Sequence, residues 1–120
     1  MILIANYVNN YIIMKGEETM RIRKRLDELG RVVLSKDLRN WADISLGEEL
    51  ITFIEDGKIV FEKITPDYEA VRITKKVDGV GRILVPIHFR DVLDITDDDD
   101  IMIYVEDGRI IFEKCVPVEA

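Results

Sequence analysis

Cysteine, histidine, proline and long apolar runs are all scarce in this 120-residue chain, and each scarcity excludes something. Cys115 stands alone, so no disulfide can close within the chain and no cysteine-ligated metal cluster is expected. His88 is the sole histidine. A basic excess is missing too. The 17 Lys and Arg face 24 Asp and Glu, a formal charge of -7, which argues against a nonspecific polyanion binder for the chain taken whole. The opening stretch MILIANYVNNYIIMKGEETM is apolar, but Asn9-Asn10 interrupts it and it lacks the basic start and small-residue cleavage site of an export signal. It is also too short and too polar for a membrane span. Residues 1–20 are therefore expected to form an added strand or a loose tail, or to precede a start at Met14 or Met20. A cytoplasmic protein with no membrane partner fits these absences.

What is present is enough to fold: 48% of the residues are hydrophobic and 34% charged. The chain also repeats itself. Shifted by 51 positions, Arg21–Pro66 aligns with Arg72–Pro117 without a gap, and 17 of the 46 positions are identical. Among them are Gly30/Gly81, Arg31/Arg82, Arg39/Arg90 and the Glu-Asp-Gly triplets at 55–57 and 106–108. The expected organisation is an N-terminal extension (1–20), a first unit (21–66), a linker (67–71), a second unit (72–117) and a short tail (118–120).

Each unit carries the same local signals. A short basic strand (Ile22–Leu26; Ile73–Val77) enters a tight turn at Gly30 or Gly81, and an apolar run follows (Val32–Leu34; Ile83–Val85). Ser35 suits a helix N-cap and Pro86 a first helical turn, so short helices are expected over Lys36–Trp41 and Ile87–Leu93. Asp56-Gly57 and Asp107-Gly108 each separate two β-branched runs, a strong two-residue hairpin signal. The order is β-β-α-β-β, twice, a mainly β fold with short helices. One unit of 46 residues buries too little surface to be comfortably stable alone, so the two are expected to share one core, a dimer within one chain.

The stretches LDELGRVVLSKDLR (26–39) and VDGVGRILVPIHFR (77–90), each followed by an acidic turn and an EDG hairpin, resemble the AbrB/SpoVT-type DNA-binding domain of the MazE/AbrB superfamily. The resemblance covers about 92 of the 120 residues. It implies that the two units exchange hairpins to make one swapped-hairpin β-barrel, an intrachain pseudo-dimer that binds double-stranded DNA as a transcriptional regulator. Carried over position by position, it implies DNA contacts at Lys24, Arg25, Arg31 and Arg39 in the first unit. In the second unit they fall at Lys75, Lys76, Arg82 and Arg90. The chain departs from the family where a second Arg would follow the helix, at Asn40 and Asp91, and where a glycine would follow, at Asp43 and Asp94. A toxin-binding antitoxin on the same fold, or an acidic protein-interaction module, remain alternative readings. Self-association through the barrel or the N-terminal segment is a further expected partnership.

The acidity is unevenly placed. Residues 21–39 and 72–90 each carry a net charge of +4, which leaves -15 on the rest. Phosphate contacts need local rather than net charge. Against each sharp reading stands a plainer one. Arg31 and Arg82 could form structural ion pairs with Asp27 and Asp78, and Arg39 and Arg90 suit a helix C-terminus in any case. Strand alternation sends Lys24 and Arg25, like Lys75 and Lys76, to opposite faces. Asp97–Asp100 lacks the ligand pattern of a calcium loop and is expected to be a solvated turn. Cys115 is expected in the core, and Trp41 is expected to fill space left by Ala42. No nucleophile with a base, phosphate-cradling loop or paired metal ligands are present, so neither an enzyme nor a cofactor is expected.

Overall fold

The computed structural model describes residues 5–8, 11–14, 19–66 and 72–115, with side chains from residue 21 onward. The expected linker at 67–71 and tail at 118–120 lie outside the described residues. The N-terminal strands are β1 (Ala5–Val8) and β2 (Tyr11–Met14). Then come β3 (Thr19–Lys24), β4 (Arg31–Val33), α1 (Lys36–Ala42), β5 (Glu49–Glu55) and β6 (Lys58–Lys63). The second half repeats the order as β7 (Ile73–Lys76), β8 (Arg82–Leu84), α2 (Ile87–Val92), β9 (Ile101–Glu106) and β10 (Arg109–Lys114).

Local chemistry accounts for the element ends. Ser35 caps α1 by accepting from the Leu38 N–H at 3.3 Å, whereas Pro86 makes no side-chain cap at α2. Asp43 and Asp94 take the left-handed conformation (φ 57° and 54°) where the helices stop, a place more often given to glycine. Both hairpins turn on Asp-Gly pairs in which each residue has positive φ, the mirror-image turn whose twist matches the flanking strands.

The pairing crosses between the units. β3 pairs with β9 (Ile22 opposite Ile103), and β7 pairs with β5 (Ile73 opposite Thr52). Under the 51-residue offset these two ladders map onto each other. β6 meets β10 with Val60 opposite Ile111, and β4 meets β8 with Val32 opposite Ile83, each ladder mapping onto itself. An approximate twofold axis therefore runs between Val60 and Ile111 and between Val32 and Ile83. Each unit completes its sheet with strands of the other.

All strands but two form one antiparallel sheet in the linear order β1-β2-β3-β9-β10-β6-β5-β7, while β4 and β8 make a separate ribbon. Among the described residues the strands wrap a common core without one continuous hydrogen-bonded ring, where the family resemblance implies a barrel. On its other side β3 pairs with β2, Tyr11 opposite Ile22, and β2 in turn with β1.

The core is made of equivalent pairs from the two halves. Leu34 and Val85 are fully buried, as are Ile59 and Ile110, and Phe61 stacks at a tilt on Phe112 with centroids 4.9 Å apart. Burying one such side chain contributes roughly 1.5–3 kcal/mol. Two expectations about the core do not hold. Trp41 is half exposed while Ala42 is buried, because the short helix turns position 41 outward. Cys115 lies past the end of β10, only partly buried, because the hairpin has already left the core there.

Candidate nucleic-acid interface

The repeated turn is built by its aspartate. Asp27 Oδ1 accepts the backbone N–H groups of Leu29 (2.9 Å) and Arg31 (2.8 Å), and Oδ2 accepts Arg31 Nε at 2.8 Å. Asp78 does the same for Val80 (3.0 Å) and Arg82 (2.8 Å), with Arg82 Nε at 2.6 Å. Each carboxylate thus shapes the turn and orients one guanidinium. Each ion pair is made through Nε, and both arginines keep about a third of their side chains exposed.

The same bonds hold the carboxyls below the ordinary carboxylate range. For Asp27 the first cause is the Arg31 backbone N–H, helped by its guanidinium. For Asp78 the Arg82 backbone N–H leads, and the pKa falls from 3.8 to about 2. A lowered folded pKa stabilises above the unfolded value, and that stability fades as pH falls from about 3.8 towards 2. Asp78→Asn is therefore expected to flatten the acid limb of the stability curve in that window, measured by denaturant midpoints from pH 5 to pH 2.5. An unchanged acid limb would mean that Asp78 titrates alike folded and unfolded.

The turns lead straight into the β4–β8 ribbon. Val32 and Ile83 point inward and are buried, so the opposite face carries Arg31, Val33, Arg82 and Leu84. Arg31 lies opposite Leu84, and Val33 opposite Arg82. The arginines stand on one diagonal of the ribbon and the apolar pair on the other. Two further bonds, Leu34 N to Gly81 O (2.7 Å) and Val85 N to Gly30 O (2.9 Å), extend the ribbon at both ends.

Arg39 and Arg90 are placed differently from a simple surface pair. Arg39 Nε donates to the Leu34 carbonyl at 3.1 Å, and its guanidinium packs on Gly81 of the other unit. Arg90 Nε donates to the Val85 carbonyl at 3.3 Å and lies against Gly30. Both thus lock one unit's helix to the other unit's turn. Lys24 and Arg25 border a cleft of about 170 Å³ that also includes Arg31 and Arg82. Arg25 Nε is paired with Asp100 at 2.8 Å, an anion that also draws Arg23 to 3.8 Å. In the second unit Lys75 and Lys76 lie on β7 opposite Leu50 and Glu49, with Lys76 the more exposed.

The cations expected from the sequence have aliphatic neighbours that the sequence reading did not name. Val33 and Leu84 are 45% and 36% exposed, and the turn tips Leu29 and Val80 more than 60%. Period-two alternation from Arg31 and Arg82 was the available signal for the first pair. The acidic run is a turn in which Asp97 and Asp98 are exposed, while Asp99 accepts the Thr96 N–H at 2.8 Å and Asp100 holds Arg25. Among the described residues, no group of three His, Cys, Asp or Glu is placed to hold a metal ion. Nor is any described helix long and apolar enough to cross a membrane.

No protein-family model matches the chain. A solution structure, PHS018 from Pyrococcus horikoshii, aligns over 82% of this chain and 95% of its own, with a TM-score of 0.47 and 16% identity. The transition state regulatory protein AbrB of Bacillus subtilis is 44% identical over 45 residues, 38% of this chain and 47% of that protein. The putative transition state regulator Abh of the same organism is 39% identical over 49 residues, 41% of this chain and 53% of its own. The chain thus spans about half the length of the curated relatives it matches. Each matched stretch is about one repeat unit long, and across it this chain is similar to these two transition state regulators.

Proposed function

We propose that this protein is a DNA-binding transcriptional regulator of the AbrB type, and that its two units together do the work of a dimer. One observation carries the reading. The β4–β8 ribbon straddles the approximate twofold axis and turns two oriented arginines, Arg31 and Arg82, to the outside. A two-stranded ribbon is narrow enough for the major groove, and arginine is the side chain best suited to phosphates and guanine edges. The segments that make this surface, 21–39 and 72–90, are the two that carry +4 each. The regulatory names of AbrB and Abh support the same reading.

In this scheme Arg31 and Arg82 enter the groove while Lys24, Arg25, Lys75 and Lys76 flank it on phosphates. Arg39 and Arg90 hold the two halves in register from behind. The acidic remainder of the chain repels DNA from the other faces.

Binding to duplex DNA across a salt series, followed by fluorescence anisotropy, tests this. The logarithm of affinity should fall by about 0.9 per phosphate contact for each decade of salt. Arg31→Ala/Arg82→Ala should flatten that slope by roughly two contacts. Absence of binding at low salt, or a slope the double variant leaves unchanged, would refute the reading.

A further inference from the structure

The ribbon presents more than cations. Its outward face has four side chains, and two of them, Val33 and Leu84, are aliphatic and substantially exposed beside Arg82 and Arg31. Strand alternation offered a buried position one residue earlier on each strand, and Val32 and Ile83 occupy it. An exposed aliphatic pair set between oriented guanidiniums has a natural complement. That complement must be apolar at points and anionic around them.

Duplex DNA has this composition in its major groove, where thymine carries the only methyl group and guanine offers paired acceptors. The spacing agrees. Residues two apart on a strand are separated by about 7 Å, and successive bases by about 3.4 Å along the axis. An arginine and its aliphatic neighbour two residues on therefore address bases about two steps apart. We propose that Val33 and Leu84 are specificity-determining residues that read thymine methyl groups, beside bases contacted by Arg31 and Arg82. This rests on the DNA-binding reading above and adds a sequence preference to it.

The diagonal arrangement adds direction. The two strands run antiparallel, so the aliphatic contacts fall on either side of the axis, one with valine and one with leucine. The larger Leu84 reaches farther, so the two half-sites are not equivalent.

The test begins with a duplex selected from a random pool for tight binding. It is then made in two forms, with thymine and with deoxyuridine, which differ only in the base methyl groups. The wild-type protein is expected to bind the deoxyuridine form about tenfold more weakly, the loss of two methyl contacts. Val33→Ala/Leu84→Ala should bind both forms alike, and a thermal melt checks that the variant remains folded. Both sites are exposed, so folding should survive. Equal wild-type affinity for the two forms would overturn the proposal while leaving DNA binding intact. So would a variant that still discriminates between them, which would assign the methyl effect to the DNA rather than to these side chains. Selection that yields no bound duplex would overturn the DNA reading itself, and this inference with it.

Discussion

Phe112→Ala is expected to cost about 3–5 kcal/mol, the usual penalty for emptying a buried aromatic site. Small domains are stable by only about 5–15 kcal/mol, so this single change should remove a large share of the total. The reason is positional. Phe112 is 1% exposed and its ring packs on Phe61, its counterpart across the approximate axis, with an interplanar angle of 53°. Phe61→Ala should therefore cost a similar amount. The pair should also show a coupling of about 0.5–1.5 kcal/mol in a double-mutant cycle, the range for aromatic pairs. Urea denaturation of the two single variants and the double would measure all three quantities. Purely additive losses would mean that the rings fill separate sites rather than one shared centre.

Gly81→Ala is expected to destabilise by about 2–3 kcal/mol, more than Gly30→Ala, although both glycines have similar positive φ (+89° and +83°). What each new methyl would meet makes the difference. At Gly81 it would lie 3.1 Å from the Leu34 carbonyl oxygen, a backbone atom of the residue whose own N–H donates to the Gly81 carbonyl at 2.7 Å. At Gly30 it would run into the Arg90 guanidinium, the far end of a flexible side chain that can swing away. Adding Arg90→Ala should accordingly soften the loss at Gly30, while Arg39→Ala should give no such relief at Gly81. Relief at both positions, or at neither, would contradict this account of the cross-unit contacts.

Features with a local cause were the ones readable in the sequence. Asp-Gly marked the turns of both hairpins, and Ser35 and Pro86 marked both helix starts. The ion pair of Arg31 with Asp27 was open to view because turn and partner lie four residues apart. Long-range features were not readable in this way. Nothing near Lys24 says that Ile101 will lie beside it, and the exchange of strands between units was implied only by family resemblance. Arg39 and Arg90 read as surface cations at helix ends because the glycines beneath them belong to the other unit. The bulk of Trp41 suggests a core residue, but its place on the short helix turns it to solvent.

The exchange of strands also imposes a timetable on synthesis. When the ribosome has made residues up to Pro66, β3 has only the β1–β2 hairpin for company, and the β5–β6 hairpin waits for β7 and β10. The strand that completes β3 begins at Ile101, 77 residues after its partner Lys24. The nascent first half is thus an open template, and another nascent first half could meet it as well as the proper second half can. Pairings this distant in sequence form slowly. The short tether between the units answers the hazard, since it holds the correct partner at a high effective concentration however dilute the protein is. Assembly in this chain becomes a matter of order in time rather than of abundance.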